Sequence, residues 1–215
     1  ASPGACWSYA ALADCAAGAA LALGELGARA GACVALGVDE GPAMVVLQLA
    51  VLAAQCFFLP LDLQYPAARL RLMLELVAAS LLVAPASWAG EAEVKGEVEV
   101  EIVPAEALLR GAPPAAAASL DPGTPPHSPC YVQFTSGSTG RPKGVLCEHA
   151  HAAWYARAKA REERVGPGSR LALAAAFTFD PCQGDVFCSL SAGATLCLAP
   201  RVRLLHGLAQ SLGSC

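Results

Sequence analysis

Charge is scarce in this chain: only 15% of its 215 residues are Asp, Glu, Lys or Arg, and the formal net charge is -4. That excludes the basic footprint through which a protein grips nucleic acid or an anionic membrane surface, and neither is expected as a partner. The ten cysteines contain no Cys-x-x-Cys pair. They are scattered, and Cys33 and Cys197 sit inside the apolar runs Ala32-Cys33-Val34 and Leu196-Cys197-Leu198, where cysteine behaves as a small core residue. Free thiols in a reducing, cytoplasmic setting are therefore expected rather than a disulfide framework. His127, His149, His151 and His206 have no ligand spacing with those cysteines; they read as surface or structural residues, and no metal site is expected. The first residue is not Met, and no basic stretch precedes an apolar one, so no secretory leader is visible. The uncharged run from Gly41 to Leu61 is long enough to span a membrane. Gln48 and Gln55 interrupt it, however, and Cys56-Phe57-Phe58-Leu59-Pro60 reads as a strand running into a turn. A helix followed by a buried strand accounts for it better.

What remains is a chain that is 55% hydrophobic, enough to bury a substantial core in one domain or in part of a larger one. Leu12, Ala16, Ala19, Leu23 and Leu26 fall at helical spacing, with Ser8 placed to cap the start and Gly27 to end the helix. A strand is expected at 32–36, a helix opened by Pro42, a strand near 56–59, a helix after Pro66 and a strand at 80–83. Short apolar strands alternating with helices predict an α/β fold, with helices packed on mostly parallel sheets. Glu93 to Ile102 alternates Val with Lys and Glu and reads as a strand wet on one face, an edge of the sheet. Gly111 to Pro129 is rich in Pro and Ala and reads as an internal loop within one partial domain over residues 1–215. Beyond it the alternation resumes: strands at 130–134, 145–147, 171–176 and 195–198, and helices at 151–163, 182–190 and after Arg201.

Between the strands at 130–134 and 145–147 lies Thr135-Ser136-Gly137-Ser138-Thr139-Gly140-Arg141-Pro142-Lys143-Gly144. Gly137 and Gly140 permit backbone geometries in which consecutive N–H groups converge on one anion. The hydroxyls of Thr135, Ser136, Ser138 and Thr139 add donors, and Lys143 adds a point charge. Hydrogen bonds to a charged group contribute about 1.5–3 kcal/mol each, so a few suffice to hold a triphosphate. A Walker loop is excluded because Lys143 follows Pro142 and precedes Gly144, and the dinucleotide fingerprint lacks its first glycine. Composition alone would also allow a flexible Ser/Gly surface turn.

The string Tyr131 to Val145 resembles the signature loop of the adenylate-forming enzymes, which include acyl-CoA synthetases, luciferases and the adenylation domains of nonribosomal peptide synthetases. Trp7 to Leu12 is similar to that family's opening motif, and Leu59-Pro60-Leu61-Asp62 with Tyr65-Pro66 and Arg69-Leu70 to its next one. Phe179-Asp180 resembles the start of the motif in which amino-acid-activating members place the carboxylate that pairs with the substrate's amino group. The resemblance implies the N-terminal part of an amino-acid adenylation domain, with ATP and Mg2+ as cofactors and a carrier-domain phosphopantetheine as acyl acceptor. It implies that the loop holds the β,γ-phosphates, that Asp180, expected to be a buried carboxylate, pairs with the substrate ammonium, and that Pro181 and Gly184 line the side-chain pocket. From the residues alone, Asp180 reads instead as a helix cap ahead of Pro181.

The resemblance carries departures. The family usually has Lys and Gly where Ala53 and Gln55 stand, and Pro181-Cys182 is similar to members that activate β-alanine or related amino acids. The chain is expected to cover less than half of a complete domain, lacking the segments for adenine and ribose and the small C-terminal lid, and to be inactive alone. An acyl-CoA-synthetase-type ligase and a noncatalytic relic are the alternative readings.

Overall fold

The computed structural model describes residues 6–90, 94, 98–110, 123–135 and 141–198. Helix α1 (Tyr9–Glu25) starts where Ser8 accepts a hydrogen bond from the Ala11 amide at 3.1 Å, and Gly27 takes a positive φ of 82° just past its end. Pro42 opens α2 (Pro42–Ala53), and α3 (Ala67–Leu76) follows Pro66. These helices alternate with β1 (Cys33–Leu36), β2 (Phe57–Pro60) and β3 (Ala79–Ala84). Then come β4 (Glu101–Pro104), a single turn α4 (Ala105–Leu108), β5 (Pro129–Thr135), β6 (Lys143–Glu148), α5 (His149–Glu162), β7 (Arg170–Ala172), α6 (Asp180–Ser191) and β8 (Thr195–Cys197).

The main sheet runs β4-β3-β1-β2-β5-β6. Every pairing from β4 to β5 is parallel, and β6 alone returns antiparallel to β5. Its inner strands β1, β2 and β3 are buried on both faces and read as nearly continuous apolar runs. In β1, Val34 and Leu36 face a core shared with α1 and α2, while Cys33 and Ala35 face a second core shared with Leu70, Met73 and Leu74 of α3. β7 and β8 form a separate parallel pair. Helix α2 is buried nearly all round, and its length rules it out as a span: among the described residues no helix is long and apolar enough to cross a membrane.

Two expectations change. Glu93 to Ile102 is not one strand: Val94 is helical and fully buried, and the strand starts only at Glu101. The alternation there served burial of Val94 and Val100 rather than a continuous ladder, although β4 does form an edge of the sheet. The strand expected at 171–176 stops at Ala172. The Pro/Ala-rich segment 111–122 and the helix after Arg201 lie outside the described residues, and Pro129 already belongs to β5. Every cysteine among the described residues is a free thiol.

Candidate functional site

The β5–β6 hairpin sets one wall of the site. Tyr131 pairs with Cys147, Gln133 with Val145, and Thr135 with Lys143. Alternate residues of a strand share a face, so Tyr131, Gln133 and Thr135 present one surface with their cross-strand neighbours Val145 and Cys147. That surface bounds an open cavity of about 540 Å3. His151, Trp154 and Tyr155 of α5 bound it on another side, and Asp180 at the start of α6 on a third.

Asp180 does not cap its helix. The cap position is Phe179, which makes no side-chain capping bond, and Asp180 is the first helical residue. The carboxylate is exposed rather than buried, and its Oδ1 accepts a hydrogen bond from the Tyr131 hydroxyl at 3.0 Å. Burial pushes the Tyr131 phenol up, and the adjoining Cys147 thiol and Asp180 carboxylate add to the effect. The phenol therefore stays protonated and acts as the donor. Its ring is fixed by stacking on Phe58 at 5.7 Å between centroids and by a tilted contact with Phe187 at 6.2 Å. One Asp180 oxygen is thus held by the phenol, and the residue lines the cavity.

The segment leading into Asp180 is tied to the core by amides. The Phe177 carbonyl accepts from Gln133 Nε2 at 3.3 Å and from Gln183 Nε2 at 3.0 Å. Gln183 Oε1 in turn accepts from Gln48 Nε2 of α2 at 3.1 Å. All three glutamines are buried.

Of the residues expected to grip phosphate, Ser136, Gly137, Ser138, Thr139 and Gly140 lie outside the described residues. Their flanks are defined: Thr135 lines the cavity, its hydroxyl lies 3.5 Å from the Lys143 carbonyl across the hairpin, and Lys143 is exposed. Pro181 is exposed and Gly184 is buried, and neither lines the cavity wall. Tyr131, Cys147, His151 and Tyr155 carry the site without having been singled out. For Tyr131 and Cys147 the period-two pattern of the strands held a signal; for His151, read as surface or structural, and for Tyr155 nothing local distinguished them from an ordinary helix face.

Residues 2–212 match the family described as AMP-binding enzyme. Nonribosomal peptide synthetase 8 of Aspergillus fumigatus is 32% identical over 185 residues, 86% of this chain but 2% of that protein's length. Among solved structures, the nonribosomal peptide synthetase FmoA3 in its alpha-methyl-L-serine-AMP bound form is similar with a TM-score of 0.77 and 28% identity, over 90% of this chain and 21% of that one. The N-terminal subdomain of Klebsiella oxytoca NpsA shares the fold with a TM-score of 0.82 at 21% identity, over 97% of this chain and 52% of that one.

Proposed function

The chain belongs to the AMP-binding enzyme family, as part of a nonribosomal-peptide-synthetase-type adenylation domain, and from that premise we propose that it serves amino-acid activation. In this reading a substrate carboxylate oxygen attacks the α-phosphorus of ATP, the bond between that phosphorus and the α,β-bridging oxygen breaks, and pyrophosphate leaves. The resulting aminoacyl-adenylate then yields its acyl group to the phosphopantetheine thiol of a carrier domain, and AMP leaves as the acyl–phosphate bond breaks. Charge in the transition state spreads over phosphate oxygens, so positioned donors contribute most of the rate.

The observation that carries the reading is the Tyr131–Asp180 pair at the cavity. A substrate ammonium would find in Asp180 an acceptor already oriented by a phenol that cannot give up its proton at ordinary pH. Thr135 and Lys143, which flank the expected phosphate loop in sequence, stand paired at the end of the same hairpin, and Thr135 lines the cavity that holds Asp180. Among the described residues no three His, Cys, Asp or Glu side chains converge as a metal cage. Mg2+ would then enter on the triphosphate, whose oxygens supply much of its shell, and would neutralise phosphate charge there.

Amino-acid-dependent ATP–pyrophosphate exchange by the full-length parent protein tests this. Lys143→Ala is expected to weaken exchange about ten- to hundredfold whichever acid is supplied, the range of one lost charged hydrogen bond. Asp180→Ala is expected to cost a similar factor for amino acids and little for their des-amino analogues. Equal losses on both substrate types would overturn the role given to Asp180.

A further inference from the structure

Helices α5 and α6 pack closely because the α5 side chains between them are small: Ala152 and Ala156 are buried. Their alignment is pinned by Lys159, whose Nζ lies 3.2 Å from Asp185 Oδ1 on α6 and 2.8 Å from Glu163 Oε1 on its own helix. Residues four apart on a helix share a face, so Tyr155 is carried to α6 one turn before Lys159. It arrives over Gly184, the residue before Asp185. A Cβ placed on Gly184 would stand 3.1 Å from Tyr155 Cδ1, 3.2 Å from Cζ, and closer still to Cε1. A side chain at position 184 fits only if that ring moves aside.

Tyr155 also lines the cavity that holds Asp180, and it is 42% exposed there. Gly184 follows Asp180 by four residues on the same face of α6, about 6 Å along the axis. A ligand anchored at Asp180 and extending along α6 therefore meets the Tyr155 ring after that distance. The wall that a side chain at 184 would have supplied from α6 is supplied instead from α5.

We infer that Tyr155 determines substrate specificity at this site, limiting the bound amino acid to a compact side chain. The inference rests on the reading that Asp180 holds the substrate ammonium. Removing the ring opens the space over Gly184, and bulkier side chains gain access. Hydrophobic pockets discriminate by roughly 10- to 200-fold for each methylene they accommodate or refuse, so the change is measurable.

The test is ATP–pyrophosphate exchange by the full-length parent protein with alanine, valine, leucine and phenylalanine, comparing wild type with Tyr155→Ala, Tyr155→Leu and Tyr155→Phe. The wild type is expected to favour the small acids in kcat/KM. Tyr155→Ala should raise the phenylalanine-to-alanine ratio by about tenfold or more, Tyr155→Leu by less, and Tyr155→Phe should keep the wild-type order. An unchanged ratio in Tyr155→Ala, or an equal loss on all four acids, overturns the inference. The loss on Asp180→Ala separates the two claims: if Asp180→Ala spares exchange, the underlying reading fails. If Asp180→Ala abolishes exchange while the Tyr155→Ala ratio stays put, only the inference fails. A fold-level arm needs no substrate. Gly184→Ala should lower the unfolding midpoint in the wild-type background and recover much of it alongside Tyr155→Ala; an equal drop in both backgrounds removes the contact on which the inference stands.

Discussion

Gln55, Ala78 and Arg164 hold positive φ angles of 57°, 47° and 55°. Each follows a helix C-cap, at Ala54, Val77 and Glu163, the position where a chain leaving a helix turns left-handed and where glycine commonly stands. Gln55 is also one of the places where the sequence departs from the usual glycine of its family. The departure therefore costs backbone strain rather than chemistry. Ala78 offers the simplest measurement of that strain, since it is exposed and carries only a methyl group. Ala78→Gly is expected to raise stability by about 0.5–1 kcal/mol, the left-handed strain relieved less the extra freedom of an unfolded glycine. Denaturant unfolding should show a higher midpoint at unchanged slope. Asp180 stood out at the residue scale through its motif alone, but its hydrogen-bond partner Tyr131 is 49 positions away, and no local pattern links the two.

Helices α2 and α6 meet through Gln48 and Gln183, two fully buried amides in otherwise apolar surroundings. In the sequence Gln48 only interrupted a hydrophobic run. In the structure it joins α2 to the segment that presents Asp180, although its own Oε1 is buried without a partner. Gln183→Leu would strand the Gln48 amide nitrogen as well and take one donor from the Phe177 carbonyl. It is expected to lower stability by about 1–3 kcal/mol by thermal or denaturant unfolding. Replacing both glutamines by leucine should recover part of that loss, because no amide then remains buried and unpaired. A double variant whose loss equals the sum of the two single losses would show that the pair is not acting as one unit. Most other elements were legible because their signals are local: Ser8 and Gly27 bracket α1, and Pro42 opens α2. The segment 93–102 misled because alternation marks burial of every second side chain, and a helix next to a short strand can bury valines at the same spacing.

Across the whole molecule the thiols report on the integrity of the core. Cys33 in β1, Cys130 in β5 and Cys182 in α6 are each pushed up to about 12 from an ordinary value near 9, chiefly by burial, with neighbouring ionisable groups adding to it. A raised folded-state value means the native chain holds protons that the unfolded chain releases. That stability is complete below about pH 9 and is lost as pH rises toward 12, by about 1.4 kcal/mol per pH unit for each thiol at its steepest. Unfolding midpoints should fall steadily above pH 9, and Cys130→Ala should flatten the decline; a flat profile through pH 11 would contradict the burial of these thiols. By itself the sequence determined the family, the α/β alternation and the ends of α1 and α2, because each depends on residues within a few positions of one another. Only the tertiary structure decided that β6 turns back against a parallel sheet, that Tyr131 holds Asp180, and that Tyr155 stands over Gly184. Those relations join side chains on separate elements, and they exist only once packing has fixed the distance between them.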